Sequence, residues 1–176
     1  LDSIKRNTSY PNYEIIIVDN ASNKKTAVSL KEMESKNKKT KVFFNQQNLG
    51  FPKANNQGFK KSSGEYLVFL NNDTIVTTGW VYRLHLHLQS PPKAGMVGPV
   101  TNSIGNEAKI HVPIQDLAEI NLFAAKIAKI NTGKNLEIDV LALFCSMIRR
   151  DVFDSVCGLD ERYGIGLFED DDLAVK

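Results

Sequence analysis

Tyr66-Leu67-Val68-Phe69-Leu70-Asn71-Asn72-Asp73-Thr74 is the segment on which the fold turns. Its five apolar residues run without alternation, as in a β-strand covered on both faces, and the polar residues that follow end it. Working backwards, Glu14 to Val18 is a second short, β-branched apolar run. Asp19-Asn20-Ala21-Ser22 closes it, a polar turn able to cap a helix over Lys24 to Ser35. Lys41 to Asn45 reads as another strand. After it, Gln46-Gln47-Asn48-Leu49-Gly50-Phe51-Pro52 joins a glycine free to take an unusual backbone angle to a proline suited to a helix start. That helix runs to about Lys61 and ends at Ser63-Gly64. Working forwards, Gly79 to Gln89 reads as a helix stopped by Pro91-Pro92.

This β-α-β-α-β-α order implies parallel strands joined by crossover helices, an α/β nucleotide-binding layout. Ligands in such sheets sit at the carboxyl ends of strands, where Asp19, Asn48 to Phe51 and Asn71 to Asp73 all fall. The second half is less regular. Thr101 to Asp116 is polar, whereas Leu117 to Ile130 carries the helical spacing Leu117, Ile120, Phe123, Ala124, Ile127. Leu136 to Arg149 contains a long apolar run that reads as a strand through the core, and Asp151 to Val156 reads as a short helix ended by Gly158. Leu1 to Ser9 reads as the tail of a helix.

Composition narrows the function classes. The 176 residues suit one domain, and 42% apolar with 24% charged residues is ordinary for a globular protein. A net charge of +2 points to no particular partner. Lysines such as those from Lys36 to Lys41 lie in helix or linker rather than in a basic stripe interleaved with aromatics, so nucleic acid is not an expected partner. Cys145 and Cys157 form no Cys-x-x-Cys pair, which makes a reduced, cytoplasmic setting the default. No run of about eighteen apolar residues is present to span a membrane. His85 and His87, two residues apart on a helix, point to different faces and do not read as a metal pair.

A second acid-tipped segment, Phe168-Glu169-Asp170-Asp171-Asp172-Leu173, follows the glycine turn Gly164-Ile165-Gly166. Together the two segments suggest a site that holds a divalent metal against a diphosphate with one group and removes a proton with the other. Asp19 is a third carboxylate at a strand end, so three such ends could converge on one pocket. Each has a plainer reading beside it. Asn71-Asn72-Asp73 is also what an Asx turn looks like, Asp19 a helix N-cap, and Gly50 a turn glycine. The acid cluster could be a first helical turn complementing the dipole, although four consecutive acids exceed what capping requires. Arg149 and Arg150 suit either phosphate contact or a helix flank.

Five pieces taken in order carry a resemblance: Ile15 to Ser22; Asn48-Leu49-Gly50-Phe51 with Asn55-Asn56-Gln57-Gly58; Tyr66 to Thr74; Gly158-Leu159-Asp160-Glu161; and Phe168 to Leu173. They resemble the family 2 glycosyltransferases of GT-A fold, in particular the rhamnosyltransferase-like branch, over nearly the whole chain. The resemblance implies a GT-A-like α/β fold with a Rossmann-type, mostly parallel central sheet flanked by helices, whose first strand would precede Leu1. It implies one catalytic domain, with a nucleotide-binding half over 1–99 and an acceptor-side half over 100–176. The implied reaction is inverting, metal-dependent transfer of a sugar from a UDP- or dTDP-linked donor to a glycan or polysaccharide-precursor hydroxyl.

Residue by residue, the resemblance makes Asp73 the ligand of a divalent metal (Mn or Mg), in a motif whose first acid is replaced by Asn71. It places Asp19, Asn20, Asn48, Gly50, Lys53, Asn71 and Asn72 around the nucleotide. It makes Asp170 the general base, with Glu169 beside it. The implied partners are a nucleotide-sugar donor and a glycan or lipid-linked acceptor, at the inner face of the membrane, with peripheral association expected of the parent protein. A sugar-phosphate nucleotidyltransferase shares the α/β plan but has no job for the Phe168 to Leu173 segment. A non-catalytic nucleotide- or glycan-binding module is the other competitor, suggested by Asn71 where the family has an acid.

Overall fold

The computed structural model describes residues 1–90, 94–114 and 116–176. Along the chain run α1 (Asp2–Asn7), β1 (Ile15–Asp19), α2 (Lys24–Lys36), β2 (Thr40–Phe44), α3 (Phe51–Lys61), β3 (Tyr66–Leu70), α4 (Trp80–Gln89), β4 (Met96–Val97), α5 (Ile120–Ile130), β5 (Cys145–Arg149), α6 (Arg150–Ser155) and α7 (Glu169–Val175). They form two compact units, each built from two stretches of chain. Unit I is Leu1–Pro11 with Val68–Ile148, and unit II is Asn12–Leu67 with Arg149–Lys176.

In unit II, β1 and β2 pair in parallel, Ile15 opposite Thr40 and Asp19 opposite Phe44, with α2 as the crossover between them. The cap of α2 corrects the sequence reading. Asn23, not the Asp19 to Ser22 turn, supplies it, its Oδ1 accepting from Thr26 N at 3.0 Å. Glu34 turns inward from α2, and its Oε1 accepts from Val42 N at 2.8 Å, satisfying a strand N–H. Helix α3 lies close on β1 at Gly58, where an added Cβ would meet Val18 Cγ2 at 3.4 Å. Its other face holds the chain's return: Asn56 Nδ2 donates to Leu159 O (2.8 Å), and Asn56 Oδ1 accepts from Leu159 N (3.0 Å). Phe59 stacks edge-on against the fully buried Phe153 at 4.9 Å. Arg150 lies over Phe59 and donates to Gly64 O (2.6 Å) and Ser62 Oγ (2.7 Å), so its guanidinium serves the fold rather than a phosphate.

Unit I holds most of a three-stranded sheet in the order β3-β5-β4, and β4 runs antiparallel to β5 with Met96 opposite Ile148. Buried Val76, Leu84, Leu88, Leu143, Met147 and Ile148 form its core. Helix α1 is pinned by Asn7 Nδ2 donating to Val76 O (2.9 Å) and by Trp80 Nε1 donating to Thr8 Oγ1 (2.9 Å), which gives Trp80 a packing role. The expected long strand over Leu136 to Arg149 shrinks to Cys145–Arg149. Upstream, backbone carbonyls are satisfied by side chains instead of by a neighbouring strand: Asn106 Nδ2 donates to Val140 O (3.0 Å) and Ser146 Oγ to Ala142 O (2.8 Å). Helix α4 ends at Gln89, and the Pro91-Pro92 stop lies outside the described residues. Both cysteines are free, Cys157 exposed and Cys145 buried, with burial pushing the Cys145 thiol up to about 12. No described helix is long and apolar enough to cross a membrane.

Candidate functional site

The loop after β2 folds against the end of β1 through a mesh of side-chain amides. Asn20 Nδ2 donates to Asn48 Oδ1 (2.7 Å) and to Gly50 O (3.2 Å), while Asn20 Oδ1 accepts from Leu49 N (2.9 Å) and Asn45 Nδ2 (3.2 Å). Asn45 Nδ2 also donates to Gln57 Oε1 (2.9 Å), and Asn48 Oδ1 accepts from Gly50 N (2.9 Å). The mesh brings the expected nucleotide residues Asn20, Asn48 and Gly50 together. Asp19 beside them is buried, with Oδ2 accepting from Ser22 N at 3.3 Å, so part of the carboxylate is engaged in its own turn. Lys53 stands exposed on the first turn of α3.

Gly50 is required for a reason internal to the fold. Its φ of 83° lies in the left-handed region, and an added Cβ would sit 1.8 Å from Gly164 O. The next residue fixes the contact, Phe51 N donating to Ile165 O at 2.9 Å. The loop that carries Asn48 is thereby joined to the segment leading into the acidic helix α7.

That segment is strained. Leu167 (φ 84°) and Phe168 (φ 69°) are consecutive non-glycine residues in the left-handed region, a conformation costing of order 1–3 kcal/mol each. Ile165, Leu167 and Phe168 are exposed. In α7 the four acids take different surroundings. Glu169 and Leu173, one turn apart, face inward; Glu169 is only 8% exposed, and its Oε2 has no hydrogen-bond partner among the described residues. Asp170 is half-buried, its Oδ1 accepting from Asp171 N at 3.1 Å. Asp172 pairs with Lys176 at 2.6 Å. Nearby in sequence, hydrogen bonds from Arg162 hold the Asp160 carboxyl down at about 2.

Asn71, Asn72 and Asp73 belong to unit I, where they form a turn. Asn71 N donates to Phe144 O (2.8 Å), Thr74 N donates to Asn71 O (3.2 Å), and Thr74 Oγ1 donates to the same Phe144 carbonyl (3.3 Å). The turn closes without the side chains of Asn72 and Asp73, both exposed at its tip. No three His, Cys, Asp or Glu side chains group into a metal site among the described residues. The donor set at the tip, one carboxylate flanked by amide oxygens, nevertheless fits a hard cation of the Mg²⁺ type, which keeps several waters and needs one or two carboxylates plus substrate phosphates.

Sequence reasoning gave no role to Asn45, Asn56 or Gln57. Asn56, only 7% exposed, fastens the Asn55 to Gly58 segment to the Gly158 to Glu161 segment, and the signal for it was a polar residue on the inner face of an otherwise regular helix.

Comparison with solved structures shows an α/β fold of GT-A architecture. The chain superposes on a crystal structure of GalNAc-T7 with UDP, GalNAc and Mn2+ at a TM-score of 0.71, with 17% identity, covering 98% of this chain and 36% of that one. It superposes on the mannosyltransferase PcManGT from Pyrobaculum calidifontis, in complex with GDP-Man and Mn2+, at 0.67, with 15% identity, covering 97% of this chain and 44% of that one. The family model described as glycosyl transferase family 2 matches residues 1–157, and the chain belongs to that family. The match stops short of α7. Among curated proteins, the O-antigen biosynthesis protein RfbC of Myxococcus xanthus is 28% identical over 94% of this chain and 14% of its own length. An uncharacterized glycosyltransferase of Haemophilus influenzae is 36% identical over 40% of this chain and 28% of its own length. The chain thus spans less than a third of the length of either curated relative.

Proposed function

We propose that this chain carries the sugar-transfer machinery of an inverting, metal-dependent glycosyltransferase that uses a UDP- or dTDP-linked donor and a glycan or lipid-linked polysaccharide-precursor hydroxyl as acceptor. The observation that carries the reading is the hydrogen bond from Phe51 N to Ile165 O. It ties the loop bearing Asn48 and Gly50 to the segment that presents Asp170, so groups assigned to the nucleotide and to the acceptor belong to one packed unit.

In this reading Asp19 contacts the nucleoside, and Asn20, Asn48 and Gly50 shape the loop around it with Lys53 available to phosphate. Asp73 would hold a divalent cation of the Mn or Mg kind, with Asn71 and Asn72 beside it at the nucleotide. Such a cation, when bound, offsets the negative charge on the departing diphosphate. Asp170 takes the proton of the acceptor hydroxyl as that oxygen attacks the anomeric carbon from the side opposite the diphosphate, which inverts the centre. Glu169, buried next to it, is the second acid assigned to catalysis. The two neighbours solved with Mn2+, one with UDP and one with GDP-Man, support a divalent cation and a nucleotide-diphosphate donor in general.

The test is Asp170→Asn. Transfer falls by about 10²–10⁴-fold while UDP affinity stays within twofold of wild type. Undiminished transfer would remove Asp170 from the mechanism. A non-catalytic binding module remains the second reading, favoured by one feature: Asn71 and Asn72 leave the turn a single carboxylate. Binding of UDP without any donor turnover would support it.

A further inference from the structure

Helix α5 is out of balance with its surroundings. Eight of its eleven residues are Ile, Leu, Phe or Ala, yet none of the eleven is buried. A helix apolar on nearly every side normally lies in a core. Its better-covered face, Ile120, Phe123, Ala124, Ile127 and Ala128, is only half-buried, and the opposite face presents Leu122 (76% exposed) and Ile130 (58%). The only charges on the helix are Lys126 and Lys129, one turn apart and both exposed on that outer face. From Ile120 to Leu136, a stretch bracketed by the exposed Glu119 and Glu137, the chain holds no Asp or Glu, and Lys134 and the exposed Leu136 extend the pattern beyond the helix.

Exposed apolar side chains interleaved with lysines and free of acids are the surface chemistry of a segment lying in the interface of an anionic membrane. The apolar groups enter the acyl boundary, and the lysine stems reach back to headgroup phosphates. We propose that the outer face of α5, Leu122, Lys126, Lys129 and Ile130 with Lys134 and Leu136 following, docks the protein on an anionic lipid surface. The proposal does not depend on the sugar-transfer reading, since docking is measured without donor or acceptor.

The test is cosedimentation of the full chain with vesicles of equimolar phosphatidylglycerol and phosphatidylcholine, and with phosphatidylcholine alone. Binding to the anionic vesicles and little to the neutral ones is expected. Lys126→Gln with Lys129→Gln weakens it by about fivefold per lysine. Leu122→Ser with Ile130→Ser also weakens it at low salt, whereas Lys24→Gln with Lys25→Gln, exposed on α2, leaves it within twofold. Circular dichroism of each variant verifies the fold. No binding to anionic vesicles, or equal loss in the α2 variant, overturns the proposal. So does a concentration-dependent dimer in sedimentation velocity that Leu122→Ser with Ile130→Ser dissolves, because the face is then covered by a second copy.

Discussion

In unit II the amides of Asn20, Asn45 and Asn48 are committed to one another and to the backbone, whereas in unit I the turn at Asn71 closes through main chain and a threonine, with Asn72 and Asp73 exposed. The same residue type therefore does two kinds of work. In the first loop, side-chain hydrogen bonds fix a backbone shape in advance. In the second, the backbone closes the turn and the side chains of Asn72 and Asp73 are exposed, with no hydrogen bond among the described residues. Under the proposed function, a pre-shaped loop suits recognition of a rigid base and ribose, and an exposed carboxylate suits a cation that arrives with its diphosphate.

The strongest way to break the contrast is at Gly50. Gly50→Ala forces a Cβ onto the Gly164 carbonyl at a left-handed φ, and destabilisation of roughly 3–5 kcal/mol in urea unfolding is expected. A loss below about 1 kcal/mol would mean the two segments are not held as described. A paired measurement sharpens it. Asn20→Ala strips several hydrogen bonds from the loop and costs about 2 kcal/mol, whereas Asp73→Ala, which removes no partnered group, stays within about 0.5 kcal/mol. Equal costs at the two sites would erase the distinction.

The smallest effect concerns Glu14, at the start of unit II. Burial raises its carboxyl, but Lys41 Nζ at 2.9 Å and the N–H and Oγ–H of Ser63 outweigh that and hold it at about 2, against an ordinary 4.5. Because the folded value is depressed, its stabilisation is present above about 4.5 and is lost as pH falls towards 2. Glu14→Gln therefore lowers stability at neutral pH and flattens the acid limb of a thermal-melt series between pH 5 and pH 2. Parallel limbs in the two proteins would contradict it.

The sequence carried the first half of the fold well because each element there has a local cause: unalternated apolar runs for β1 and β3, Pro52 for the start of α3, Gly64 after its end. It misplaced the cap of α2, since Asp19, Asn20, Ser22 and Asn23 are equally able to cap and only the three-dimensional path selects Asn23. It overextended β5, because an apolar run states burial without stating that a partner strand runs alongside. The same limit governs the site. The acids and asparagines were visible as residue types at strand and loop ends. The bond from Asn56 to Leu159, 103 residues away, and the contact of Gly50 with Gly164 depend on tertiary packing, and no local pattern encodes them.

The most direct test of the central claim is titration of UDP into the full chain by calorimetry, with and without Mn2+, for wild type and Asp73→Ala. Tightening of wild-type affinity by at least about tenfold with Mn2+, abolished in Asp73→Ala, is expected for a cation held between Asp73 and a diphosphate. Affinity in wild type that is indifferent to Mn2+, or a full Mn2+ effect surviving in Asp73→Ala, would contradict it.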